Sequence, residues 1–384
     1  MRGAEAVLAC LREQDVDTVF GYPGGMILPL YDALYGQTEI RQILVTHEQN
    51  AAHAADGYAR ATGRVGVCIA TSGPGATNLV TGIATAYMDS IPMVAITGQV
   101  DLEMLGRDAF QETDILDVTM PVTKHNYKIK NAADLVPTIR EAFALARSGR
   151  PGPVLIDVPR NLFFEEVAYT AQKLVEHQPG KPDADFIICA AEAAAEIVNA
   201  ERPLVIVGGG VISAGASAET VAFIEKYQLP VVHTLMGMGA VPSTHPQMLG
   251  FIGMHGAKAA NYAVGAADLV IALGSRFADR LTGNLSKFTA NRRFIHIDID
   301  PAEIDKIVGS SIGLAGDMRV VLNLLMRKEP KRDHTVWWQQ IHTWQEEFED
   351  DYHVNSLTVP WALHQVTRMT AGKAYAYATD VGQH

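Results

Sequence analysis

The chain has 384 residues, a length that predicts two or three domains. Hydrophobic residues make up 48% of it and charged residues only 19%, which favours large cores and buried oligomer interfaces. The formal net charge of −12 disfavours nucleic acids and anionic membranes as partners.

The length of the apolar runs and the spacing of the cysteines indicate the cellular compartment of the protein. No apolar run reaches the roughly 18 residues that a membrane-spanning helix needs, and the first residues predict an amphipathic helix, not a secretory signal. Cys10, Cys68 and Cys189 are far apart and form no CxxC pair, which disfavours a disulfide framework or a zinc site. These features predict a cytoplasmic protein.

Short β-branched runs alternate with segments of helical length along most of the chain. The strand predictions are Val65–Thr71, Met93–Thr97, Val154–Val158, Leu204–Val207, Leu269–Leu273 and Phe294–Ile299. Most are continuous apolar runs, which is typical of strands buried on both faces of a parallel sheet. Between them, Leu135–Ser148 has the apolar face of an amphipathic helix. The alternation predicts an α/β fold with right-handed crossovers.

Breaks in composition divide the chain into predicted domains at 1–168 and 189–330, joined by a linker at 169–188. A charged segment with a tryptophan-bearing helix predicts an interdomain helix and linker at 331–357. From Pro360 a new helix and a strand, Ala374–Thr379, are predicted within residues 358–384. A domain cannot bury a core in so few residues, so the chain is expected to be truncated.

Four motifs follow predicted strands or open predicted helices, and each has a plain structural alternative. Gly21–Gly25 and Thr71–Asn78 are either simple turns or loops that face a ligand. Glu48 opens a helix rich in small residues, where it is either a buried functional acid or a carboxylate favoured by the helix dipole. Gly208–Gly210 follows a strand as in dinucleotide-binding folds, but it lacks the GxGxxG pattern.

Taken together, ordered sequence strings resemble the acetolactate synthase large-subunit family. They are GYPGG, HEQ-AA, TSGPGATN, IP-VAITGQV, DAFQE, GRPGPVLIDVP, GMHG, RF-DR-TG, HIDIDPAEI and DVGQH, and they span essentially the whole chain. The resemblance implies successive three-layer parallel-sheet domains: a pyrimidine-binding domain (1–168), a central FAD-holding Rossmann-like domain (189–330) and a truncated diphosphate-binding domain (358–384). It also implies decarboxylation of pyruvate on thiamine diphosphate and ligation of the two-carbon unit to pyruvate or 2-oxobutyrate, in branched-chain amino-acid biosynthesis.

The resemblance also implies site residues. Glu48, Gln111 and Arg280 would be the catalytic residues. Glu48 would protonate the aminopyrimidine ring, beside which Gly25 would lie, and Arg280 would bind the carboxylate of the second substrate. Phe110, Gln111, Arg160 and Arg280 would line the substrate channel. The implied FAD contacts are Arg150, Gly208, Gly209, Gly210, Thr234, Leu235, Gly253, Met254, His255, Gly274, Arg276, Asp298, Ile299 and Asp317. Gln383 and His384 would contact the diphosphate, whereas the Mg²⁺ ligands are expected in the missing domain. The flavin is implied to be largely structural.

Some positions depart from the family pattern, since Ala278 replaces an aspartate of RFDDR and Arg160 replaces a lysine. The implied partners are a second copy of the chain, in a homodimer or tetramer, and a small regulatory subunit. The alternatives are a related enzyme such as pyruvate oxidase and a non-catalytic FAD-binding fragment. The chain by itself is expected to be inactive, because the magnesium and diphosphate site is missing.

Overall fold

The computed structural model describes residues 1–173, 180–348 and 357–377. Two sheets of six parallel strands organise them, each in its own unit. The strands of the first sheet are β1 (Thr18–Gly21), β2 (Arg41–Leu44), β3 (Gly66–Ala70), β4 (Met93–Gln99), β5 (His125–Lys128) and β6 (Pro153–Pro159). Those of the second are β7 (Pro203–Val207), β8 (Val231–His233), β9 (Met248–Phe251), β10 (Leu269–Leu273), β11 (Arg293–Asp298) and β12 (Ile312–Ala315).

Helices cover both faces of each sheet. In the first unit they are α1 (Gly3–Glu13), α2 (Leu28–Tyr35), α3 (Glu48–Thr62), α4 (Pro74–Asn78), α5 (Val80–Asp89), α6 (Ile115–Thr119) and α7 (Leu135–Arg147). Those that follow are α8 (Ala184–Asn199), α9 (Gly209–Ser213), α10 (Ser217–Tyr227), α11 (Lys258–Ala266), α12 (Asp279–Thr282), α13 (Leu285–Thr289), α14 (Met318–Leu325), α15 (Thr335–Glu347) and α16 (Val359–Thr370).

The predicted α/β class of parallel-sheet, three-layer domains is confirmed. Alternate residues of β4 show why: Val94 and Ile96 pack with α1 and α7, whereas Met93 and Ala95 pack with α3 and α5. The second sheet divides in the same way between a cluster with α8, α10 and α14 and one with α11 and α15. A strand buried on both faces needs apolar side chains throughout, which is why these strands were visible as continuous runs.

Every predicted strand up to Phe294–Ile299 matches an observed strand to within two residues at either end. The strands that sequence reasoning missed are β1, β2, β5, β8, β9 and β12, each three or four residues long. Several carry polar residues, such as His125–Lys128, and so lack a continuous apolar run. Short strands without such a run cannot be separated from loops by periodicity.

The tryptophan-bearing helix, α15, was predicted to be an interdomain segment. In the structure it packs into the core of the second unit. Trp337 is 3% exposed, Ile341 is fully buried, and the Trp337 indole donates to the Pro203 carbonyl oxygen at 3.0 Å. The predicted linker at 169–188 likewise contains the start of α8.

Near the end of the chain, the helix predicted from Pro360 is present as α16. The strand predicted at Ala374–Thr379 is wrong for residues 374–377, which form no strand, and its last two residues lie outside the described part.

Ionic contacts join the two units. Arg150 of the first unit donates to Glu303 of the second at 2.7 Å and lies 3.5 Å from Asp300. Asp89, at the end of α5, lies 3.7 Å from Arg276 of the second unit. These contacts bring the carboxyl end of α5 against loops that follow strands of the second sheet.

Candidate functional site

The first sheet has the strand order β2-β1-β3-β4-β6-β5. From β1 the chain moves towards one edge and from β3 towards the other, so these neighbouring strands form a topological switch point. Ligands of open parallel sheets bind in the crevice at this point, beyond the carboxyl ends of the strands. The loops that leave here are Gly21–Gly25 and Thr71–Asn78, and the Met26 amide donates to the Thr71 hydroxyl oxygen at 3.2 Å.

Glu48 is the acid at this crevice. It is the first residue of α3, after His47, whose Nδ1 caps the helix by accepting from the Gln49 amide at 3.1 Å. Glu48 Oε2 accepts from the Asn78 side-chain amide at 2.9 Å. Oε1 has no hydrogen-bond partner among the residues that the structure describes, so one carboxylate oxygen is oriented and the other is open to a ligand.

Gly75 keeps that open oxygen accessible. A Cβ atom at this position would lie 3.3 Å from Glu48 Oε1 and 2.7 Å from Thr71 Cγ2. Any larger residue would therefore crowd both the loop and the acid. Gly25, across the crevice, is exposed, and a Cβ atom there would meet nothing within 4 Å.

The loop 106–112 also reaches this crevice. The Gln111 backbone packs directly on Gly73, leaving no room for a Cβ atom there. Phe110, beside it, is 80% exposed. Backbone amides of Gly106 and Ala109 donate to the Glu112 carboxylate, and these hydrogen bonds hold the pKa of Glu112 below its usual value. Thus Gly25, Phe110 and Gln111 from loops and Glu48 from the start of α3 lie around one crevice.

Two buried hydroxyl groups at this crevice were not predicted from the sequence as site groups. The oxygens of Ser72 and Tyr31 have no hydrogen-bond partner within the described part of the chain. Burial raises the pKa of Tyr31 above its usual range. Asn78, the partner of Glu48, was also missed as a site residue, although it lies within the Thr71–Asn78 motif. Unpaired buried polar groups are rare and fit a ligand-binding crevice.

The second sheet has a switch point of its own. Read from β9, its strand order is β9-β8-β7-β10-β11-β12, that of dinucleotide-binding Rossmann domains. Between β7 and β10, Gly208 and Gly274 meet backbone to backbone, and the Gly274 carbonyl group occupies the place of a Cβ atom on Gly208. The Gly210 amide donates to the Gly274 oxygen at 3.1 Å. The short helix α9 begins at Gly209, directly after this contact, and α10 follows from Ser217.

The predicted flavin contacts of this unit follow the carboxyl ends of its strands. They are Gly208, Gly209 and Gly210 after β7; Thr234 and Leu235 after β8; Gly253, Met254 and His255 after β9; Gly274 and Arg276 after β10; Asp298 and Ile299 at β11; and Asp317 after β12. Burial raises the pKa of Asp298, which is 8% exposed. Asp317 also has a structural role, because its Oδ1 caps α14.

Arg150 and Arg276 lie at the junction of the units. Arg150 Nε donates to the Ser90 hydroxyl oxygen at 2.7 Å while its Nη1 reaches Glu303. Both arginines thus lie near the crevice of the second sheet, held by residues at the end of α5. The structure brings them to the region where the sequence predicts flavin binding.

The surroundings of Arg160 and Arg280 differ from those of Arg150 and Arg276. Arg160 follows β6, its guanidinium lies 5.7 Å above the Phe164 ring, and its Nε is buried without a partner among the described residues. Arg280 is exposed on α12 and pairs with Asp279 at 3.1 Å, while its carbonyl oxygen accepts from Met254. No hydrogen bond or ion pair within the described ranges joins Arg280 to Glu48. Gln383 and His384 lie outside the described residues.

Residues 1–173, 180–348 and 357–377 hold no group of three or more His, Cys, Asp or Glu side chains placed to bind a metal ion. None of their helices combines the length and apolar character needed to cross a bilayer.

Two domain families match the chain in the order of its two units. The thiamine pyrophosphate enzyme N-terminal TPP binding domain matches residues 1–118, and the central domain of the same enzymes matches residues 190–325. The two switch-point crevices therefore belong to a protein of the thiamine-diphosphate enzyme class.

Similar whole proteins narrow the class further. The chain is 49% identical to the probable acetolactate synthase large subunit of Methanocaldococcus jannaschii over 89% of its own length and 59% of the relative. It is 46% identical to the acetolactate synthase large subunit of Parasynechococcus marenigrum, covering 100% of the chain and 64% of that protein. It is 43% identical to the isozyme 3 large subunit of Escherichia coli, covering 100% of the chain and 69% of that protein. The chain belongs to the acetolactate synthase large-subunit family, and it spans roughly three fifths to two thirds of these relatives.

Proposed function

We propose that this chain supplies the thiamine diphosphate pyrimidine site and the FAD site of an acetolactate synthase. The complete enzyme would decarboxylate pyruvate and join the two-carbon unit to a second 2-oxo acid, pyruvate or 2-oxobutyrate, in branched-chain amino-acid biosynthesis. The observation that carries the proposal is the Glu48 carboxylate, oriented by Asn78 with one oxygen open in the switch-point crevice.

Glu48 is the proton-handling group of this proposal. When bound, thiamine diphosphate supplies a nucleophilic carbon and an electron sink for decarboxylation. Glu48 Oε1 would share a proton with a ring nitrogen of the aminopyrimidine, as a general acid–base group must lie within hydrogen-bond reach of the atom it serves. Asn78 fixes the carboxylate through Oε2, and Gly75 leaves room at Oε1. These residues fit the cofactor.

FAD fits the crevice of the second sheet. The contact between Gly208 and Gly274 admits no side chain, and it brings the loops after β7 and β10 together at the switch point, where dinucleotides bind. The remaining contacts would come from the loops that follow the other strands, together with Arg150 and Arg276 from the junction of the units. An arginine pairs well with the phosphate groups of a dinucleotide.

The substrate channel would be lined by Phe110, Gln111 and Arg160. Exposure of Phe110 and the buried Nε of Arg160, which has no hydrogen-bond partner among the described residues, support this assignment. The exposed guanidinium of Arg280 is able to take a carboxylate in a bidentate pair. Arg280 would thus hold the second 2-oxo acid, in competition with Asp279.

The assembly is also part of the proposal. A homodimer or tetramer, together with a small regulatory subunit, would complete the cytoplasmic enzyme. Mg²⁺ would be held by residues of a full-length protein beyond those described, and Gln383 and His384 would face the diphosphate.

Two forms of the protein test the proposal. One is the 384-residue chain, and the other is a full-length form that also carries the part of the relatives that this chain does not span. We expect both to bind FAD in a fluorescence titration. Only the full-length form should make acetolactate from pyruvate with thiamine diphosphate and Mg²⁺. Robust turnover by the 384-residue chain would contradict the proposed location of the metal site. Bleaching of the flavin absorption by pyruvate, without acetolactate, would indicate an oxidase instead.

A further inference from the structure

A buried polar group lies behind the loop 106–112 and has no part in the chemistry proposed above. Thr97 and Gln99 of β4 and Asp157 of the neighbouring β6 are each at most 1% exposed. The Thr97 hydroxyl donates to Asp157 Oδ1 at 2.7 Å, and Gln99 Nε2 donates to Asp157 Oδ2 at 3.0 Å. The pKa of Asp157 is raised to about 7, because the effect of burial exceeds the opposing effect of these two hydrogen bonds. Burying such a group is costly unless its partners are complete.

Gln99 extends this group to the loop. Its Nε2 also donates to the Thr113 carbonyl oxygen at 3.0 Å, and its Oε1 accepts from the Val100 amide at 2.9 Å. Both protons of the Gln99 side-chain amide therefore take part in hydrogen bonds. Only this orientation of the amide satisfies two acceptors at nitrogen and one donor at oxygen, so the side chain is locked.

The loop needs such an anchor because its backbone is strained. Asp108 and Gln111 have φ values of 52° and 58°, in the left-handed region that non-glycine residues rarely adopt. Such conformations persist only where surrounding contacts hold them. Inside the loop, the Glu112 carboxylate binds two backbone amides. Thr113, the first residue after Glu112, accepts the hydrogen bond from Gln99 through its carbonyl oxygen.

We propose that Gln99 is a positioning residue that anchors the loop 106–112 through the Thr113 carbonyl group, with Asp157 orienting its amide. The anchor keeps Phe110 and Gln111 at the mouth of the crevice. Its catalytic meaning rests on the proposed function, which places both residues in the substrate channel. The anchor itself is a property of the first unit and is measurable without turnover.

Hydrogen exchange of the loop amides in the full chain tests the anchor. In Gln99→Met, which has nearly the same shape but no amide, we expect exchange in residues 106–113 to accelerate about tenfold, as suits the loss of one buried hydrogen bond. Thr97→Val is the matched control, because it removes a bond to the same carboxylate without touching Thr113. That variant should leave loop exchange unchanged. If the methionine variant does not fold, Gln99→Asn keeps an amide for Asp157 but is too short to reach both acceptors.

The outcomes separate the anchor from the proposed function. Unchanged loop exchange in the Gln99 variant, or equal acceleration in Thr97→Val, overturns the anchor whatever the activity. If the loop loosens, kcat/KM for pyruvate in the full-length form should fall about tenfold or more, mainly through KM. A loosened loop with unaltered kinetics leaves the anchor standing and refutes the placement of Phe110 and Gln111 in the channel.

Discussion

The contact between the two units makes a prediction that needs no cofactor or substrate. Glu303 of the second unit has a side chain that is 4% exposed, and it lies 2.7 Å from Arg150 of the first unit and 2.9 Å from Lys306. Glu303→Gln keeps the size of this side chain and removes its charge. Arg150 then retains Ser90 and, at 3.5 Å, Asp300.

The expected cost follows from the burial. Breaking a fully buried ion pair costs about 3–5 kcal/mol. Arg150 is 24% exposed and keeps other partners, and glutamine still accepts a hydrogen bond, so we expect about 2 kcal/mol. For a chain of 384 residues, that free energy lowers the melting temperature by about 2–3 °C.

A matched glutamate on the surface gives the control. Glu39 pairs with Arg12, and their side chains are 64% and 38% exposed. Glu39→Gln should cost less than about 1 kcal/mol, and high salt should abolish the difference from wild type. Melting of the three proteins is followed by circular dichroism at low and high salt. Equal, small shifts for both variants would refute the view that the buried pair holds the units together.

The remaining predictions concern the two crevices and the buried acid. In the full-length form, Glu48→Gln should lower turnover by ~10²-fold, the scale of acid–base removal, and an unchanged rate would rule out the role given to Glu48. Gly208→Ala should abolish FAD binding in a titration, because the Gly274 carbonyl group occupies the Cβ position. The control is Gly265→Ala, which should bind FAD normally because a Cβ atom at Gly265 would meet nothing within 4 Å. Since the pKa of Asp157 is about 7 in the folded chain, against about 3.9 for an unfolded aspartate, the folded state keeps a proton that the unfolded state releases between these values. Asp157 should therefore make stability fall as pH rises from about 4 to about 7, and Asp157→Asn should flatten the pH dependence of the melting temperature; an identical slope would mean that Asp157 titrates in the ordinary acid range.

Much of the local structure was predictable from the sequence because its causes are local. The apolar run Leu269–Leu273 coincides with β10, and the amphipathic segment from Leu135 is α7, with Ile139 and Phe143 buried as its spacing predicts. The packing of Trp337 was not predictable in this way, since its indole finds the Pro203 carbonyl group 134 residues away.

The site shows the same division between local and distant causes. The alternation of apolar runs and helical segments predicted the α/β class, and the ordered motifs pointed to the family resemblance and to Glu48 as the candidate acid. Only the tertiary structure decided which strands are neighbours, and hence that the Gly21–Gly25 and Thr71–Asn78 loops share a crevice. It also paired Glu48 with Asn78 and joined Arg150 to Glu303, 153 positions apart. Periodicity and turn chemistry act over a few residues, whereas contacts between distant residues depend on crossovers and packing that no short window of sequence encodes.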